Sequence, residues 1–207
     1  MSAPHSAERG LDAEGAASKS HGAEACGDAR VGGVRAGGVL EMYGLKDLER
    51  AGWGRIGVVG AESVAAHSWG NCLLALLYAP PELDRGRLLA MLVLHDLAEV
   101  RVGDLTPFDG VSREEKHRRE AEAMRAMLSE RPDLVELVEE YANRSSPEAR
   151  FAHELDKLDM GLQAVRYAQG KGVDTQEFQS SAVRGLTSAE LLRVLNVARN
   201  LAQNVQE

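Results

Sequence analysis

The stretch from Leu88 to Val100, LLAMLVLHDLAEV, constrains this chain more than any other segment. Its Leu, Met and Val residues leave no polar stripe, and Asp84 stands ahead of it as a candidate N-cap. Read as one helix over 84–102, ended by Gly103, it is apolar on nearly every side. Such a helix belongs at the centre of a helical domain. Inside the run sit His95, Asp96 and Glu99, and Asp104 follows just beyond it. An unpaired buried charge is costly, so a fold that buries this segment must give these groups partners or an ion.

The rest of the chain carries helical signals of the same kind. LEMYGLKDLER places Leu40, Tyr43, Leu45 and Leu48 near one face, and the glycines of GWGRIGVVG interrupt the pattern. Glu62 to Ala79 reads as a helix with Val64, Ala65, Trp69, Cys72, Leu73 and Leu76 on a broad apolar side, stopped by Pro80 and Pro81. Ser112 with Glu115 has the spacing of a capping box. PDLVELVEEYANRSS, a long segment from Pro147 to about Gly170, VDTQEFQSSAVRGL and SAELLRVLNVARNLAQ complete the helical set. Alternating Val/Ile/Thr runs, internal repeats and a βαβ rhythm are missing from the sequence. Aromatic residues make up 4% of it, so the core must be aliphatic. The expected class is all-α, a single helical bundle over residues 39–207. Residues 1–38 are rich in Gly, Ala and Ser without an apolar period, and are expected to form a flexible tail.

Charge and cysteine usage exclude several functions. Lys+Arg 24 against Asp+Glu 32 leaves a net charge of −8, the wrong sign for coating nucleic acid. REEKHRRE interleaves acids with bases and reads as a solvated helix face. Two cysteines, Cys26 and Cys72, make neither a disulfide framework nor a four-thiolate zinc site. No apolar stretch matches a membrane span, and MSAPHSAERG lacks a signal-peptide core. The expectation is a cytoplasmic protein without nucleic-acid or membrane partners.

Polar residues also interrupt two other apolar faces: His67 in the 62–79 helix, and Asp156 and Asp159 within FAHELDKLDMGL. Each alone has an ordinary explanation, a satisfied core histidine or the solvated edge of an amphipathic helix. Together, His67, His95, Asp96 and Asp156 would supply two nitrogens and two carboxylates. That donor set suits a divalent transition metal: Mn, Co, Fe, Ni or Zn. His117 and His153 carry no assigned role.

ESVAAHSW, LVLHDLAEVRVGDLTP and ELDKLDM together resemble the HD-domain metal-dependent phosphohydrolases, and most closely their 5′-deoxynucleotidase branch. The resemblance runs from about Leu48 to Tyr167. It implies that His67, His95, Asp96 and Asp156 are the metal ligands. It implies that Glu99 and Asp104 are the acidic pair supporting hydrolysis, without settling which is acid and which is base. It also places Arg50, Trp53 and Arg55 of RAGWGR near the substrate, although Trp53 serves equally well as a packing tryptophan. Ala66 departs from the pattern, since relatives carry an acid immediately before the first histidine.

The resemblance thus implies a metal-dependent phosphomonoester hydrolase that releases phosphate from (deoxy)nucleoside 5′-monophosphates, natural or modified. The alternatives are an HD phosphohydrolase acting on a nucleoside triphosphate or guanosine polyphosphate, and a non-catalytic metal-binding helical protein. It also implies a homodimer. Leu191, Leu192, Val194, Leu195, Val197 and Leu201 of the last helix offer apolar surface, for an interface or for the monomer's own core.

Overall fold

The computed structural model describes residues 30–31 and 34–204. The strands β1 (Arg30–Val31) and β2 (Val34–Arg35) pair antiparallel. Ten α-helices follow among the described residues: α1 (Ala36–Tyr43), α2 (Ala51–Arg55), α3 (Val64–Tyr78), α4 (Arg85–Leu94), α5 (Glu99–Val102), α6 (Arg113–Met127), α7 (Pro132–Asn143), α8 (Pro147–Lys171), α9 (Gln176–Gly185) and α10 (Ala189–Asn204). A 3₁₀ turn, Gly44–Lys46, joins α1 to the segment before α2. The class is all-α. The flexible tail expected over 1–38 falls largely outside the described residues, and its boundary cuts into α1, which already begins at Ala36.

The helix starts follow from local chemistry. The side chains of Ser63, Asp84, Ser112 and Ser146 accept from the backbone N–H three residues on, satisfying a donor that has no partner within the helix. Pro132 and Pro147 open α7 and α8, where the missing N–H costs nothing.

The central element is α8, not the 84–102 segment. It packs against α3, α4, α7, α9 and α10. Leu155 and Leu158 meet Leu88, Met91 and Leu92 of α4 and Leu191 and Leu195 of α10 in one aliphatic core. Gly161 lets α9 and α10 approach closely: a Cβ there would lie 2.8 Å from that of Ala182 and 3.0 Å from Leu195 Cδ1. A second cluster under α5 and α6 joins Leu45, Val64, Leu97, Ala98 and Met124.

The 84–102 segment is not one helix. It breaks at His95–Ala98, where Leu97 N–H bonds the Leu94 carbonyl and Glu99 N–H bonds the Asp96 carbonyl. These i→i+3 bonds tighten the chain into turns and re-aim the side chains between α4 and α5. Nor is α4 buried all round, since Val93 is exposed.

Two faces differ from the periodicity. Leu40 and Tyr43 are exposed while Leu45 is buried. On α3, Trp69, Leu73 and Leu76 look outward, and Trp69 is 69% exposed. Among the described residues, no helix is long and apolar enough to cross a membrane.

Candidate metal centre

Three elements converge on His67. Ser63 caps α3 so that His67 lies one turn inside it, with an imidazole 0% exposed. From α8, Asp156 Oδ1 approaches His67 Nε2 to 3.1 Å, and Asp159 Oδ2 approaches Nδ1 to 2.6 Å. Asp156 and Asp159 are three residues apart, so they share a helix face. From the α4–α5 break, Asp96 Oδ2 lies 3.7 Å from His67 Nε2 and 3.1 Å from His95 Nε2.

The break also sets the tautomer of His95. Its Nδ1–H donates to the Leu92 carbonyl at 2.9 Å, which directs Nε2 into the cluster. There Nε2 is buried and, although close to Asp96, is not aligned for a hydrogen bond with any group. One donor atom from each of His67, His95 and Asp96 falls within 4.8 Å of the others. A buried nitrogen without a partner, among a second imidazole and two carboxylates, fits a divalent ion. His67, His95 and Asp96 crowd together, with Asp156 reaching the group through His67, and without an ion this leaves polar capacity unmet.

The predicted acids stand beside this cluster. Glu99 is 4% exposed, and its Oε2 has no hydrogen-bond partner. Burial, then Asp96 and Asp104, push its carboxyl far above the usual carboxylate range. Asp104 accepts from the Ala51 N–H at 2.8 Å and lies 3.9 Å from Arg50 Nε. Burial alone would raise the Asp96 and Asp156 carboxyls. For Asp96 the His95 and Arg50 charges outweigh it, and for Asp156 the Lys157 charge and the His67 hydrogen bond do, so both stay below the usual range. Burial and the Arg50 charge press on the His67 imidazolium, yet its bonds to Asp156 and Asp159 win and hold it up at about 9.

The three residues of RAGWGR have different placements. Arg50 caps α2 and reaches the centre, with Nη1 donating to Asp96 Oδ2 at 3.2 Å. It is held there because its N–H bonds the Glu62 carbonyl while Leu48 accepts from Val64 N–H, tying the loop to the start of α3. Arg55 stands at the rim, paired with Glu177 at 2.8 Å and lying over the Phe108 ring. Trp53 takes the packing role. It is 1% exposed, lies against Tyr167 and Phe178, and donates from Nε1 to Glu62 Oε1 at 2.9 Å. Arg50, Arg55, Asp104, Lys157 and Phe178 line a hollow of about 280 Å³ beside the centre. A second hollow, of about 200 Å³, reaches His95 and Asp96 from between α6 and α7.

Other side chains here carry no role from the sequence. Asp159 and Asn71 both contact His67, and Lys157 Nζ donates to Asp156 Oδ2 at 2.9 Å. Asn71 follows His67 by four residues, so helical periodicity alone places it on the same face. His153 donates to the Tyr141 carbonyl and stacks on that ring. Ala66 is exposed on α3.

The HD domain profile matches residues 42–196. The 5′-deoxynucleotidase HDDC2 of Bos taurus is 37% identical over 165 residues, covering 76% of this chain and 80% of the relative. The 5′-deoxynucleotidase hdd1 of Schizosaccharomyces pombe is 38% identical over 132 residues, covering 59% and 67%. A crystal structure from Pyrococcus horikoshii OT3 superposes with a TM-score of 0.69 at 32% identity, covering 80% of this chain and 98% of that one. A protein described as a predicted metal-dependent phosphohydrolase, from Magnetospirillum magnetotacticum MS-1, superposes with a TM-score of 0.61 at 26% identity, covering 81% and 90%. The family profile spans well over half of the sequence and covers the segments that carry His67, His95, Asp96 and Asp156, so this chain belongs to the HD-domain family.

Proposed function

We propose that the protein is a metal-dependent phosphohydrolase that releases inorganic phosphate from (deoxy)nucleoside 5′-monophosphates. The observation that carries this reading is the buried, partnerless Nε2 of His95 among His67, Asp96 and Asp156, with Arg50 and two further carboxyl groups at its edge. The 5′-deoxynucleotidase relatives support the substrate class.

His67, His95, Asp96 and Asp156 would hold the ion. When bound, it supplies positive charge to a phosphate oxygen and acidifies a water molecule. The chain's own groups do the rest. Arg50, anchored between Asp96 and Asp104, presents its guanidinium for a forked contact with the phosphate. Glu99 and Asp104 divide proton transfer between them, one accepting from the attacking water and the other donating to the 5′ oxygen that leaves. The hollow lined by Arg55, Phe108 and Phe178 takes the nucleoside.

The monomer leaves an apolar face uncovered: Trp69, Leu73, Leu76 and Leu77 of α3, with Val93 of α4. A patch of this kind marks an interaction surface, and a second copy of this chain is the proposed occupant. The α10 face is the weaker candidate because Leu191 and Leu195 are spent on the core.

A substrate panel tests the activity. Ribo- and deoxyribonucleoside monophosphates, a deoxynucleoside triphosphate and a guanosine polyphosphate are offered with Mn²⁺. Phosphate from the monophosphates is expected. Pyrophosphate or triphosphate from the longer substrates, with the monophosphates untouched, overturns the reading.

A further inference from the structure

We infer that Asp159 is a positioning residue of the metal centre, whose carboxylate accepts a hydrogen bond from the His67 Nδ1–H and thereby leaves Nε2 as the nitrogen offered to the ion. The inference rests on the reading of the centre given above, but it concerns a carboxylate that does not itself hold the ion.

The two edges of the His67 ring have different surroundings. Nε2 faces Asp156 Oδ1 at 3.1 Å, Asn71 Nδ2 at 3.1 Å and Asp96 Oδ2 at 3.7 Å. Nδ1 has one hydrogen-bond partner, Asp159 Oδ2, at 2.6 Å. Two ligands of one ion, each ~2.0–2.2 Å from it, sit roughly 3 Å or more apart at ordinary coordination angles. The spacings at Nε2 leave room for such an ion. The 2.6 Å contact at Nδ1 is too short for a shared ion and matches a charge-assisted hydrogen bond with a proton between the atoms. Glu62, His67 and Asp159 also form a tight trio, but the 2.6 Å contact makes His67 and Asp159 a hydrogen-bonded pair, with the Glu62 carboxylate bonded to Trp53, and not a second ion site.

The neighbouring helix is built for the contact. Gly70 lies one turn beyond His67 on α3, and a Cβ there would fall 2.0 Å from Asp159 Oδ1. Only the bare glycine backbone leaves the carboxylate space to reach the imidazole. On the far side Glu62, held by Trp53 Nε1–H, completes the enclosure. A ligand histidine fixed in this way keeps its ring orientation before the ion arrives and its Nδ1 proton once Nε2 is ligated, and the carboxylate strengthens Nε2 as a donor.

Ion binding tests this without any substrate. Zn²⁺ affinity and stoichiometry are measured by competition with a chromophoric chelator for wild type, Asp159→Asn, Asp159→Ala and Gly70→Ala, with circular dichroism confirming the fold. One ion per chain is expected throughout. Asp159→Ala and Gly70→Ala should each bind about 10–100-fold more weakly. Asp159→Asn, which keeps an acceptor, should fall between Asp159→Ala and wild type. The Gly70→Ala/Asp159→Ala double variant should lose little more than either single change, because both remove one contact. In zinc-loaded, ¹⁵N-histidine-labelled wild type, His67 should show a protected Nδ1–H resonance, which requires no variant to fold. Wild-type affinity in Asp159→Ala, or a fall from two ions to one, overturns the inference alone. A wild type that binds no ion overturns the reading of the centre as well.

Discussion

Arg50 reaches from the cap of α2 to Asp96, its Nη1 3.2 Å from Oδ2, so a cation at the centre is already paired with one of the carboxylates that would hold the ion. Asp104 lies on the same guanidinium. The Arg50 charge is itself held more firmly than usual: burial opposes it, but Asp96 and Asp104 more than compensate. This arrangement couples stability to ion binding. Arg50→Ala leaves two half-buried carboxylates without their cation, and the ion-free fold should lose about 3 kcal/mol. An ion restores positive charge at the same place. The rise in Tm on adding Mn²⁺ should therefore be larger in Arg50→Ala than in wild type, while phosphate release falls at least about tenfold. Equal thermal shifts would contradict the coupling.

Ion affinity should depend on pH through His67. Its imidazolium persists in the ion-free protein to about pH 9, above the ordinary value of 6.5. An ion at Nε2 must displace that proton. Between pH 7 and 9, affinity should rise by up to about tenfold per pH unit, with close to one proton released per ion. For the ion-free fold the sign is opposite. A raised folded pKa stabilises fully below 6.5, and that contribution is lost as pH rises through 9. Calorimetry in buffers of different ionisation enthalpy reads the proton release, and its absence would refute this account of His67.

Glu99 and Asp104 should separate chemistry from folding. With its carboxyl pushed far above the usual range, Glu99 is uncharged at neutral pH in the ion-free protein. Glu99→Gln should then leave the ion-free Tm nearly unchanged. Phosphate release should nonetheless drop by about 10²–10⁴-fold, the usual size of a lost proton-transfer group. Unchanged kcat in both Glu99→Gln and Asp104→Asn would remove the acid pair from the mechanism.

The two tryptophans show what the sequence conveys and what it does not. Periodicity put Trp69 on an apolar face of α3, and the resemblance of RAGWGR left Trp53 open between the substrate and a packing role. In the fold Trp53 is buried between Tyr167 and Phe178, and Trp69 faces outward. Local pattern identifies an apolar face but not whether the monomer covers it. The caps at Asp84 and Ser112 were legible because they are made within four residues, whereas those at Ser63 and Ser146 emerge only in the fold, the pattern having started these helices at Glu62 and Pro147. The break at His95–Ala98 was not, since the segment holds no Gly or Pro to announce it. His67, His95 and Asp96 were readable as polar anomalies in apolar runs, and the fold brings them together. Asp159 was visible as an anomaly too, but its work depends on Gly70 in a different helix, a juxtaposition no spacing reveals.

That distinction gives a prediction for Trp53. Trp53→Ala should cost about 3–5 kcal/mol as a cavity in the core. Trp53→Phe should retain most of that packing, lose only the bond to Glu62, and leave KM for a nucleotide within about threefold, because the residue, although it borders the hollow, is only 1% exposed. A large KM rise in Trp53→Phe at unchanged Tm would return the residue to the substrate.

The uncovered α3 face predicts the assembly. Trp69→Glu or Leu76→Glu should convert a dimer to a monomer in sedimentation velocity, with the monomer's fold intact. The same charge at Leu201 of α10 should leave the dimer in place. A wild type that sediments only as a monomer would reject the dimer.

The central claim is that His67, His95, Asp96 and Asp156 hold an ion that phosphomonoester hydrolysis requires. The most direct measurement is phosphate release from a deoxyribonucleoside 5′-monophosphate by wild type and Asp96→Ala, each with Mn²⁺ and with excess chelator. The account predicts release only by wild type with Mn²⁺, abolished by chelator, recovered on adding Mn²⁺ back, and reduced at least about 10³-fold in Asp96→Ala. Release that persists in chelator or in Asp96→Ala, or none from a folded and ion-loaded wild type, would contradict it.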